Sequence, residues 1–214
     1  MSVTELSQSF RELDHQQEKV VDKFLHKFFY SKVFSNVEFV DDVSLQVAGV
    51  DVIADGKLID NKSQSSPRYV NNPTNTFILE LSFLNKYEKE TTGWFIKEDS
   101  KTTHYLFVWI NSADVDSNGR ILHNGIHEVE VMLVDRNQLR ESVANYYTDE
   151  ELMRIANGMR YSGHKWSPCS IPDCKFSHTP TLAEKPTNIV ARKSFLETCS
   201  VMHCIVGEYG IVHI

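Results

Sequence analysis

The sequence has no apolar run approaching the roughly 18 residues a membrane-spanning helix needs, and no basic segment followed by an apolar one at its start. These absences set the expectation of an intracellular, cytoplasmic protein. It has no internal repeat. Cysteine is sparse: Cys169, Cys174, Cys199 and Cys204 all fall in the last quarter of the chain, and in a reducing compartment they read as thiols or ligands rather than disulfides. Positive charge is in deficit, with 22 Lys and Arg against 29 Asp and Glu and a formal net charge of -7. No overall positive field therefore draws in a phosphate backbone. A basic groove would have to be local, and Arg11, Lys57, Lys62, Arg68, Lys97 and Lys101 could supply one.

What is present is the composition of an ordinary soluble globular protein, 214 residues with 41% hydrophobic and 24% charged. The pattern predicts a core over residues 1–160 and a Cys/His-containing extension over 161–214 packed on the same domain. From Thr4 to about Tyr30, Phe10, Leu13, Val20, Val21, Phe24, Leu25, Phe28 and Phe29 recur at three- and four-residue spacing, as one face of a helix requires. Ser2 and Glu5 form a capping-box pattern at its start. Val37 to Val40 reads as a short strand and Asp41 to Gly49 as a connection.

Val50 to Ala54 and Lys57 to Lys62 are β-prone runs around Asp55-Gly56. That pair is a strong hairpin signal, because a type I′ turn needs positive φ at both central residues. Ser63 to Thr76 is a loop long enough to be functional or mobile. Strands are expected at Phe77 to Phe83, Gly93 to Ile96, His104 to Ile110 and Glu128 to Val134, making the middle of the chain one sheet. Helices are expected over Asn137 to Tyr147 and Thr148 to Arg160, the second capped by Thr148. Ser162 to Pro186 reads as irregular, and Asn188 to Ala191 and Met202 to Val206 as closing strands.

A two-residue turn at Asp55-Gly56 pairs Val52 with Ile59 and Asp51 with Asp60. Side chains directly opposite share a face, with Cβ atoms about 4.5–5.5 Å apart. Lys62, two residues beyond Asp60, turns to the same side. Two adjacent carboxylates repel unless a cation compensates, and oxygen ligands suit Mg²⁺ or Mn²⁺. Such an ion can polarise a phosphoryl oxygen, while Lys62 orients or deprotonates water or neutralises developing charge.

At Gly49-Val50-Asp51-Val52-Ile53-Ala54 followed by Ile59-Asp60-Asn61-Lys62 the sequence resembles the PD-(D/E)XK superfamily of restriction-type endonucleases, resolvases and repair nucleases. The resemblance covers about residues 10 to 110. It implies an α/β fold with a central mixed β-sheet flanked by helices, and Mg²⁺-dependent or Mn²⁺-dependent hydrolysis of DNA. Asp51 and Asp60 become metal ligands with the Asn61 carbonyl, Lys62 the catalytic lysine, Gln64 a supporting residue, and Glu18 the helix carboxylate that joins the cluster. It allows a homodimer, since many relatives cut two strands with two subunits. Two departures stand beside it: no proline precedes Asp51, and no helical pattern lies between Lys62 and Phe77.

His164, Cys169, Cys174 and His178 are enough ligands for a tetrahedral structural zinc site, with Cys199, His203 and Cys204 as alternative partners. Tyr69, in the long loop, is an aromatic placed to stack on a base. The competing reading is a non-catalytic binding module on a nuclease-like sheet, in a defence or anti-defence system. A third is a zinc-stabilised nucleic-acid-binding protein.

Overall fold

A computed structural model describes residues 16–214. Helix α1 runs over residues 16–33 and turns Val21, Phe24, Leu25, Phe29 and Tyr30 inward. Through His26–Tyr30 it widens into a π-helical turn, and it stops where Phe34 takes extended backbone. The expected Ser2–Glu5 cap lies outside the described residues.

Strand β1 (Val37–Phe39) follows. The segment expected as a plain connection holds a short helix, α2 (Val43–Val47), because the Asp42 carboxylate accepts from the Ser44 and Leu45 N–H groups and caps it. Then come β2 (Val52–Ala54) and β3 (Lys57–Ser63). Asp55 and Gly56 between them have φ of 46° and 78°, the positive values an I′ turn demands. The Asp55 carboxylate also accepts from the N–H groups of Ser35 and Asn36 at 3.1 and 2.8 Å, which ties the turn to the entry of β1.

Strands β1, β2 and β3 form an antiparallel meander. On its far side β3 pairs in parallel with β6 (His104–Val115). Parallel neighbours need a crossover, and here it contains β4 (Thr76–Leu84) and β5 (Glu90–Thr92). With β7 (Ile121–Asp135), β11 (Ser200–Gly207) and β12 (Gly210–His213) the mixed sheet has seven strands, ordered β1-β2-β3-β6-β7-β11-β12. Ile59, Leu106, Val108, Ile110, Val129, Val131, Leu133 and Cys204 pack with α1 into one core. The alternate residues of β6, Tyr105, Phe107 and Trp109, are fully buried too. This strand is therefore apolar on both faces and reads as a continuous hydrophobic run.

The described residues divide into two units, one of 16–74, 102–134 and 200–214, the other of 75–101 and 135–199. In the second, β8 (Trp166–Pro168), β9 (Cys174–His178) and β10 (Thr187–Arg192) join β4 and β5 in an antiparallel sheet ordered β5-β4-β10-β9-β8. It also carries α3 (Arg136–Ala144), α4 (Asp149–Ser162) and α5 (Lys193–Glu197). Helix α4 opens with a full capping box between Thr148 and Glu151 and ends at Gly163 with φ 71°, an αL cap that glycine takes without penalty.

Several expectations are corrected. The strands at Phe77 to Phe83 and His104 to Ile110 lie in different sheets, since period-two alternation identifies a strand but not its neighbour. Gly93 to Ile96 is a turn: the Gly93 N–H donates to Leu81 and the Phe95 N–H to Glu80, and a Cβ at Gly93 would land on the Glu80 carbonyl. The segment expected to be irregular contains β8 and β9, with Pro168 on an edge strand, where its missing N–H costs no ladder bond. Residues 161–214 divide after Cys199, and Ser200–Ile214 returns to the first unit. Among the described residues no helix is long and apolar enough to cross a membrane.

Candidate active site

The β2–β3 ladder ends at Val52 opposite Ile59. One residue earlier, the Asp51 N–H still donates to the Ile59 carbonyl at 2.9 Å, so Asp51 departs from strict opposition to Asp60. Its carboxylate turns over the end of β3 and accepts from the Asn61 N–H at 2.8 Å. The Asp51 and Asp60 side chains nevertheless meet, and a hydrogen bond between them helps hold the Asp60 proton.

Asp60 is buried, and the Lys62 ammonium lies 2.7 Å from its Oδ1. Burial, reinforced by the charge of Asp51, pushes the Asp60 carboxyl up to about 7, against the pull of Lys62 in the other direction. Burial by itself would lower the Lys62 pKa, but the charges of Asp60, Asp51 and Tyr105 and the hydrogen bond to Asp60 prevail and raise it. Lys62 is thus a cation at neutral pH, suited to orienting water or neutralising phosphate charge and not to accepting a proton.

Asp22, a residue absent from the sequence expectations, joins this cluster from α1. Burial first, then the charge of Asp51, raises its carboxyl to about 6, and it accepts from Asn61 Nδ2 at 3.1 Å. Glu18, the expected helix ligand, is exposed one turn earlier, and its charge reaches the cluster through Asp22. The available signal was spacing, for Asp22 stands four residues after Glu18 and eight before Tyr30. Tyr30 is fully buried and donates its hydroxyl to Asn61 Oδ1 at 2.5 Å.

Gln64 is engaged by Thr74. Its Nε2 donates to Thr74 Oγ1 at 2.8 Å and its Oε1 accepts from the Thr74 N–H at 3.0 Å, closing the loop over 64–74. That loop is also tied to β6 by Asn71, which bonds Ala113 through Nδ2 at 2.8 Å and through Oδ1 at 2.6 Å. Tyr69 within it is half-buried, under Arg68 at 5.8 Å.

Among the described residues no three or more His, Cys, Asp or Glu side chains are arranged to hold a metal ion. This applies to both sequence expectations. His164 is exposed, whereas His178 is buried with its Nδ1 3.2 Å from the Pro186 carbonyl. Cys169 and Cys174 lie just past the last β8–β9 pair, Pro168 with Lys175, and Cys169 adds to the burial that raises the Cys174 thiol. Cys204 is core, and His203 pairs with Glu130 at 2.9 Å.

The basic residues are also redistributed. Arg11 lies outside the described residues, and Lys97 and Lys101 belong to the second unit. The exposed face of α1 instead carries Lys19, Lys23 and Lys27 one turn apart, the last two lining a cavity of about 140 Å³ with Phe24, Phe28, Asn124 and Glu208. No known family model, curated protein or solved structure matches this chain.

Proposed function

We propose that this protein is a divalent-metal-dependent nuclease that hydrolyses DNA phosphodiester bonds, built on a restriction-endonuclease-like sheet. The observation that carries the reading is the convergence of Asp51, Asp60 and Lys62 at the end of one hairpin, with Asp60 driven to about 7 by burial beside a second carboxylate. Strongly perturbed acids gathered with a lysine mark functional sites more often than structural ones. The parallel β3–β6 pair beside that hairpin agrees with the mixed sheet the resemblance implies.

The donor set fits a hard cation. Its side-chain donors are carboxylate oxygens, and a buried acid held beside a second carboxylate has the character of an Mg²⁺ or Mn²⁺ site. Asp51 and Asp60 would hold the ion, with the Asn61 carbonyl as a third donor. When bound, it would polarise a phosphoryl oxygen and stabilise the leaving oxygen. Lys62 contributes a fixed positive charge beside the developing phosphorane charge and orients the attacking water. The lysine row on α1 gives a polyanion a local foothold on a protein of net charge -7.

A second reading is a non-catalytic binding module, of a defence or anti-defence kind. It is favoured by the Lys62–Asp60 pair at 2.7 Å, which partly neutralises the cluster without any cation. Calorimetric titration of Mn²⁺ into metal-free wild type and Asp51→Ala/Asp60→Ala, with plasmid and oligonucleotide cleavage alongside, separates the two. Binding and cleavage lost together in the double variant is the expected result. A wild type that neither binds Mn²⁺ nor cuts DNA or RNA refutes the nuclease.

A further inference from the structure

Asn61 sits between the acid and the lysine of β3, and its polar groups are engaged in three directions. Its N–H donates to Asp51 Oδ2 at 2.8 Å, its Nδ2 to Asp22 Oδ1 at 3.1 Å, and its Oδ1 accepts from Tyr30 at 2.5 Å. The N–H lies beyond the last β2–β3 pair, so the Asp51 carboxylate takes the place a strand carbonyl would otherwise fill. The amide side chain is bound at both ends and cannot turn, because its donor must face the acid and its acceptor the phenol.

Tyr30 is held as firmly as the amide. It is the last residue of the π-helical turn, and such turns alter the phase of a helix face, often at functional sites. Its ring is enclosed by Phe29, Phe34 and Phe39, with centroids 5.2, 6.0 and 5.8 Å away. The phenol is therefore a rigid anchor rather than a mobile contact.

We propose that Tyr30 and Asp22 are positioning residues for the Asp51–Asp60 site, acting through Asn61 to fix the end of β3 and, with it, the carboxylate of Asp51. This rests on the reading of that site as a divalent-cation centre. Partners of this kind, one step removed from the ligands, typically change metal affinity about 10–100-fold when removed.

The test is Mn²⁺ calorimetry on the metal-free full chain. Tyr30→Phe preserves the ring and deletes the hydroxyl, and should weaken Mn²⁺ binding about tenfold. Asp22→Asn should weaken it in the same direction. Phe34→Leu disturbs the same aromatic packing without touching a hydrogen bond, and should lose thermal stability while keeping wild-type Mn²⁺ affinity. Unchanged affinity in Tyr30→Phe and Asp22→Asn overturns the inference, as does an equal loss in Phe34→Leu, which would assign the effect to packing. A wild type that binds no Mn²⁺ removes the metal reading and this inference together, whereas binding by wild type and both variants alike removes this inference alone.

Discussion

The β2–β3 hairpin site and the second unit use acidic residues in opposite ways. In the second, carboxylates are paired or cap a helix: Asp149 meets Arg140, Glu90 meets Arg160 at 2.7 Å, and Asp135 accepts from the Gln138 N–H at 2.9 Å. Glu151 closes the capping box, and hydrogen bonds from Thr148 hold its carboxyl below the usual range. At the β2–β3 hairpin of the first unit, Asp22, Asp51 and Asp60 are gathered together, and burial holds Asp22 and Asp60 well above that range. The same residue types thus stabilise one region and store electrostatic cost in the other. Such a cost is what singles out the hairpin as the candidate site.

The sharpest way to break this contrast is to remove Lys62. Lys62→Ala should reduce DNA cleavage by at least about 100-fold, the usual loss when a fixed charge that stabilises a transition state is deleted, while leaving the second unit folded. Retention of wild-type cleavage by a Mn²⁺-saturated Lys62→Ala protein would make the lysine an ordinary ion-pair partner. In the second unit the largest expected effect is on stability. Gly93→Ala forces a methyl onto the Glu80 carbonyl and should cost about 3 kcal/mol, the upper end of overpacking. For a chain of this size that lowers Tm by roughly 6–12 °C, with Mn²⁺ affinity at low temperature unchanged.

Much of the site was legible in the sequence because Asp55-Gly56 allows few conformations, so the turn sets the approach of Asp51, Asp60 and Lys62. Their exact register was not legible, since the Asp51 N–H slides to Ile59 once the ladder ends. Asp22 escaped notice because Glu18 stands in register with Val21 and Leu25, whereas α1 meets Asn61 of β3 from one turn later onward, through Asp22 and Tyr30. Strand existence at Phe77 and His104 was readable from alternation, but sheet membership depends on contacts distant in sequence. Nothing in the spacing of His164, Cys169, Cys174 and His178 could show that His178 sits in the β9 strand bonded to Pro186.

The pH dependence of stability separates the units with a smaller effect. Asp22 near 6 and Asp60 near 7 both lie above the ordinary carboxylate value of 3.8. Between about pH 4 and 7 the folded protein keeps protons that the unfolded chain has released, so their stabilisation is complete at low pH and is lost as pH rises through 6 and 7. Metal-free protein should lose on the order of 4 kcal/mol between pH 5 and 8, and Asp60→Asn should have a distinctly shallower slope. Glu151 works in the opposite sense, its contribution being present above the ordinary carboxylate range and lost on acidification. Mn²⁺ should therefore raise Tm more at pH 8 than at pH 5, where protons compete for the same oxygens. Urea titrations over this range that show stability constant or rising with pH would deny the buried-acid account.

The smallest effect belongs to the Thr148 cap. Its hydroxyl oxygen accepts from the Glu151 N–H at 3.2 Å, while the Glu151 carboxylate reaches back to the Thr148 N–H at 2.9 Å. Thr148→Ala removes the first bond and leaves the second, so the expected loss is about 1 kcal/mol, or roughly 2–4 °C in Tm. Thr148→Ser keeps the hydroxyl and should stay close to wild type. Neither variant should alter Mn²⁺ affinity or the slope of stability between pH 5 and 8, because the cap touches none of the buried acids of the hairpin site. A Ser variant as unstable as the Ala variant would mean that the threonine methyl, not the hydroxyl, holds the start of α4.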